Sequence, residues 1–90
     1  MAPTIDFNQA VFTVRDIMHD NELIAYVFHD TNGDWQFLPD KEVSTDNMMI
    51  VSLSQILQHD NSVEHVLYIL EGFKAYRKNQ NEDWEITEID

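Results

Sequence analysis

Three His-Asp dipeptides, His19-Asp20, His29-Asp30 and His59-Asp60, are the first residues in this chain whose types suggest chemistry. Imidazole and carboxylate ligate zinc and related metals, and phosphohydrolases hold one or two metals with such a dipeptide. Those enzymes take four or more ligands from neighbouring helices of a larger all-helical domain. A strand, a short turn and a helix end do not provide that frame, and histidine and aspartate are common at the ends of elements in any case. A denser group, His59, Asp60, Glu64 and His65, spans the junction of two expected helices and has the donors of a metal-binding module or a metal-dependent hydrolase. The same four residues are also explained by capping: a histidine at a helix C-terminus suits the helix dipole, and Glu64 completes a capping pattern begun at Asn61. The run DTNGD, Asp30 to Asp34, looks superficially like a calcium loop. An EF-hand needs glycine sixth and glutamate twelfth, whereas Gly33 is fourth.

Other chemistries find less support. There is no cysteine, and Ser44, Ser52, Ser54 and Ser62 have neither a nucleophile-elbow nor a lysine-paired context. With only Gly33 and Gly72 in the chain, there is no glycine-rich loop to cradle a phosphate. The residues therefore assign no catalytic, cofactor-binding or metal site, and the expectation is a protein that is not an enzyme and uses no cofactor.

The elements that would position these groups begin with Leu23 to Leu38, LIAYVFHDTNGDWQFL, two alternating apolar runs joined at Asn32-Gly33. Asn-Gly favours a two-residue type I′ turn, which predicts a hairpin pairing Thr31 with Asp34, Asp30 with Trp35, His29 with Gln36, Phe28 with Phe37 and Val27 with Leu38. One face then carries Tyr26, Phe28, Trp35 and Phe37, and the other carries Ala25, Val27 and Leu38. A hairpin apolar on both faces belongs inside a sheet. Ahead of it, Ala10 to Phe12 reads as a short strand, followed by a helical turn that Thr13 can cap, with Val14, Ile17 and Met18 on one face and Asn21 as its stop. Pro39 to Asn47 reads as a polar, mobile loop, and Met48 to Val51 as a buried strand. Ser52 and Gln55 form a capping box ahead of the stripe Leu53, Ile56, Leu57. A second helix is expected from Asn61, with Val63, Val66, Leu67 and Leu70 at helical spacing, Tyr68 and Ile69 off the stripe, and Gly72 as its end. FKAYRK and DWEITEI complete the chain as two strands. The predicted fold is α+β: a mainly antiparallel sheet with a central hairpin at about 23–38 and two to three short helices packed on one side.

Ninety residues with 43% apolar and 24% charged content describe one compact domain, 1–90, which needs neither a metal nor a disulfide to fold. The absence of cysteine suits a reducing cytoplasm. The first 20 residues lack the basic start and apolar run of a signal peptide, and no segment reaches transmembrane length, so the expected location is cytoplasmic. Seventeen acidic residues against five basic ones give a formal charge of −12. Such a surface opposes nucleic acid and anionic membranes, and it favours a basic protein partner, although acidity also serves solubility alone. A homodimer through exposed sheet edges is left open.

The run VFHDTNGDWQFL, followed by IVSLSQIL and later by GFKAYR and a C-terminal tryptophan, resembles a family of small bacterial proteins of unknown function. That family is similar to predicted immunity proteins of bacterial toxin systems, and the resemblance spans roughly residues 10 to 84. It is structural rather than catalytic and carries over no site residue. It implies a cytoplasmic protein-binding domain whose acidic surface occludes a basic toxin. On charge and aromatic content, the expected partner surface is the hairpin tip, Asp30, Asp34 and Trp35, with Asp40 and Glu42 in the following loop.

Overall fold

The computed structural model describes residues 5–89. Six strands form one sheet: β1 (Ala10–Val14), β2 (Tyr26–His29), β3 (Trp35–Leu38), β4 (Met48–Ser52), β5 (Phe73–Tyr76) and β6 (Glu85–Glu88). Their order is β4-β1-β3-β2-β5-β6, with every neighbouring pair antiparallel except β1 and β3, which run parallel. Helices α1 (Arg15–Met18) and α2 (Leu53–His59) and a 3-10 helix at Asn61–Val66 contribute Ile17, Leu53, Ile56, Val63 and Val66 to a core shared with Val11, Val27, Phe37, Val51 and Ala75. The expected α+β architecture, with a central hairpin and short helices on one face of the sheet, is what the chain forms.

The hairpin register differs by one residue from the type I′ expectation. Gly33 alone in this turn has a left-handed backbone, at φ +91°. The Gly33 N–H donates to the Asp30 carbonyl (2.9 Å) and the Asp30 N–H donates to the Asp34 carbonyl (2.8 Å). The loop is therefore the three residues Thr31 to Gly33, a type I turn followed by a left-handed glycine. Asn32 instead accepts the Asp34 N–H on its side-chain oxygen (3.1 Å). The pairs become Tyr26 with Leu38, Val27 with Phe37, Phe28 with Gln36 and His29 with Trp35. Burial explains the choice, because this register sends Ala25, Val27, Trp35 and Phe37 together into the core. Tyr26 and Phe28 turn to the opposite face, where they lie half-buried and stacked with ring centroids 5.7 Å apart. On that face Ile50 of the edge strand β4 is 66% exposed.

Other local expectations are corrected for equally specific reasons. Thr13 does not cap α1; it is buried and donates its hydroxyl to the Phe37 carbonyl (2.9 Å), while Val14 occupies the cap without a side-chain bond. Asn21 ends that segment in a left-handed conformation at φ +58°. In the 39–47 loop, Lys41 reaches Asp16 (3.1 Å) and Glu22 (3.3 Å), tying the loop to α1. The contact with Lys41 holds the Asp16 carboxyl below its ordinary range and the Lys41 ammonium above its own. The capping box of α2 forms as expected: the Ser52 hydroxyl accepts the Gln55 N–H and the Gln55 side chain accepts the Ser52 N–H.

The second expected α-helix is instead the 3-10 helix Asn61–Val66, capped by Asp60 rather than Asn61. Three residues per turn put Val63 and Val66 on one face, both buried, and beyond the helix Leu67 and Ile69 are buried while Leu70 is not. Gly72, at φ +89°, serves the turn into β5.

Candidate functional site

Two arrangements gather several of the polar residues that the sequence singles out, a closed ion-pair network and an apolar groove. The closed one centres on Arg77, which follows β5 and is 2% exposed. Its Nε donates to the Ile24 carbonyl (3.0 Å), Nη1 to the Ser62 hydroxyl (2.7 Å) and Nη2 to Asp60 Oδ2 (2.7 Å). The Trp84 ring covers the guanidinium at 4.2 Å. Asp60 Oδ1 accepts both the Ser62 N–H (3.0 Å) and the Ser62 hydroxyl (2.6 Å). Burial pushes the Asp60 carboxyl up, but the bonds from Ser62 and Arg77 outweigh it and hold the group below the ordinary carboxylate range.

Asp60 is thus committed to a structural ion pair. Among the described residues, no three histidine or acidic side chains come together in an arrangement that could hold a metal, so His59, Asp60, Glu64 and His65, weighed as an alternative metal site, are not gathered into one. A cleft of about 230 Å³ beside Asp60 is bounded by Asn21, Glu22, Leu23, Ile24, His59 and Gln80. Glu64 lies on a different cavity.

That second cavity is a groove of about 760 Å³ between the N-terminal segment, the start of α2 and the loop after the 3-10 helix. Its apolar lining comes from Ile5, Leu53, Leu67, Tyr68, Ile69 and Leu70. Tyr68 and Leu70 are each 71% exposed, while Ile69 between them is buried. The segment ahead of β1 is held against α2 by the Ser54 N–H, which donates to the Phe7 carbonyl (2.9 Å), and the Leu53 N–H, which donates to that of Gln9 (3.0 Å). At the base of the groove, the His29 ring stacks on Trp35 with centroids 3.9 Å apart and planes 11° from parallel. His29 Nδ1 lies 2.8 Å from the Ile69 carbonyl, which can only accept, so Nδ1 carries the proton and fixes the ring. Among the described residues, the charged ones lining the groove, Asp6, Glu64 and Glu71, are all acidic, and no lysine or arginine lines it.

The hairpin tip borders this groove. A β-carbon at Gly33 would meet Glu71 Oε2 at 3.6 Å, and one at Gly72 would meet Thr31 at 3.6 Å. The partner surface expected from the sequence is therefore divided. Asp30 and Asp34 flank the hairpin turn outside the groove's lining, Asp30 half-buried and accepting from Gln36 Nε2 (2.7 Å), Asp34 exposed. Asp40 and Glu42 lie past the far end of β3; five residues, four of them the strand Trp35–Leu38, separate Asp34 from Asp40, at most roughly 20 Å of chain. Asp40 there accepts the Tyr76 hydroxyl (3.1 Å), which raises the Tyr76 pKa above its ordinary value. Trp35, named from the sequence as part of the partner surface, is 7% exposed and belongs to the core, although it also lines the groove. Tyr68 and Leu70 supply the exposed apolar area instead. Tyr68 falls off the 3.6-residue stripe and so carried a sequence signal, whereas Leu70 sits on that stripe and carried none.

The chain matches no family model, no curated protein and no solved structure.

Proposed function

We propose that this chain is a non-catalytic, cytoplasmic binding domain that holds a basic protein against the groove, with Tyr68 and Leu70 as its anchors. The observation that carries this reading is the pair of large apolar side chains, each 71% exposed, on a groove whose charged lining is entirely acidic. Exposed apolar area of this kind, rimmed by polar groups, marks interaction surfaces. A formal charge of −12 adds long-range attraction for a cationic partner, which speeds encounter, while burial of the anchors slows release. The resemblance to immunity proteins supports a toxin as that partner, because enzymes acting on nucleic acid carry basic clefts that an acidic domain can occlude.

The test compares wild-type protein with a Tyr68→Ser, Leu70→Ser variant in capture from the host's lysate, washed at low and then high salt. The wild type is expected to retain a stoichiometric basic protein that high salt removes. The variant is expected to retain it at least about tenfold more weakly while melting close to the wild type, since both side chains are exposed. Equal retention by both proteins would move the interface away from the groove, and no basic protein in either capture would remove the reading.

A further inference from the structure

The occupant's shape follows from where the groove sits in the sheet. We infer that it receives one face of a basic amphipathic helix, an inference that rests on the basic-partner reading above. An extended peptide is recognised by adding itself to a free sheet edge, where its backbone finds unpaired N–H and C=O groups. The strands beneath this groove, β2 with His29 and β3 with Trp35, are the third and fourth in from either side of the six-stranded sheet, and both are paired along each edge. They offer a visitor no ladder to join. The groove presents side chains instead, and a ligand that meets only side chains must satisfy its own backbone, which a helix does.

The pattern of the lining supplies the rest. Tyr68, Leu70 and Ile5 expose apolar surface over a floor of Leu53 and Leu67, a trough suited to residues spaced i, i+3 or i+4, and i+7 on the visiting helix. Asp6 comes from the N-terminal segment, Glu64 from the 3-10 helix and Glu71 from the loop beside the hairpin tip. Carboxylates from three separate segments thus border the trough, with Asp34 exposed on the adjoining tip. Lysine or arginine on the flanks of the helix would meet them. A helix of roughly two to four turns is marginal alone in water, so the bound segment folds as it docks.

The experiment is a selection of random 16-residue peptides displayed against the wild-type protein, with counter-selection against the folded Tyr68→Ser, Leu70→Ser variant. The expected survivors carry lysine or arginine together with apolar residues at helical spacing. They gain helical circular dichroism on binding, perturb amide shifts of residues 64–71, and lose at least about tenfold in affinity on Glu64→Lys, Glu71→Lys. Survivors with no helical period, or whose shift changes fall on the β4 or β6 edge, would overturn the helix. So would a selection that yields no peptide able to distinguish wild type from variant. Capture of a basic protein indifferent to the groove substitutions would separate the two claims: the basic-partner reading would stand and this one would fall.

Discussion

Arg77 shows how one side chain can consume residues that look available for chemistry. The guanidinium enters a site where every donor it uses meets an acceptor, and Asp60 is the charge that permits it to be buried. Removing Arg77 leaves that carboxylate desolvated and half unpaired, so Arg77→Ala should cost about 3–5 kcal/mol in urea unfolding. Asp60→Leu combined with Arg77→Met should recover much of the loss, and a double-mutant cycle measures the coupling. The pH dependence has a definite sign. The folded-state pKa of Asp60 is depressed, so the stability it confers is present above the unfolded value of about 3.9 and is lost as pH falls through the lower folded value. The urea midpoint should therefore drop below about pH 4, and Asp60→Asn should be weaker at neutral pH yet less sensitive to acid. Because Asp60 is already engaged, zinc added to dialysed protein should leave the melting temperature unchanged, and a stabilising shift would restore the metal-site alternative.

At the level of elements, the hairpin and the helices respond to different rules. Gly33 has φ +91° and no crowding around an added β-carbon, so the penalty for Gly33→Ala is backbone strain, about 1–2 kcal/mol by denaturant titration. Asn32→Gly, which would help a type I′ turn, should bring no gain because Asn32 does not occupy the left-handed region here. For α2, Ser52→Ala should cost about 1 kcal/mol. These elements also show what was legible in the chain. The capping box was, because a serine and a glutamine three residues apart decide it locally. The turn at Asn32-Gly33 was located correctly, but its register was not, since the choice between two- and three-residue loops depended on which face of β3 the neighbouring strands would bury. The Asn61–Val66 segment was misjudged as an α-helix because Asp60 and Ser62, which shape its start, are drawn towards Arg77 far along the chain. The groove was invisible for a related reason: its walls come from Ile5, Asp6 and Gln9, from His29 and Trp35, from Leu53, and from Glu64 and residues 67–71, and no local pattern joins them. Only the charge that borders it could be read in advance.

For the whole molecule, the dominant long-range term is repulsion among seventeen acidic residues. Raising salt from about 20 to 200 mM shortens the screening length severalfold and should increase the melting temperature, opposite to the salt dependence expected of partner binding. The same repulsion guards two unlike sheet edges. Strand β6, with Glu85 and Glu88, carries its own charge, whereas β4, Met48 to Ser52, carries none and displays Ile50. The strand order also governs how the chain must be assembled during synthesis. Strand β1 is made before both of its neighbours, β3 and β4, so Phe12 waits for Gln36 and Ile50 before either side of it is satisfied. The β2–β3 hairpin, by contrast, can close as soon as it emerges. Translation therefore delivers β1 as a waiting piece and the hairpin as the scaffold it docks on, and in refolding experiments substitutions at Val27 and Phe37 should slow folding more than those at Val11, which should chiefly hasten unfolding.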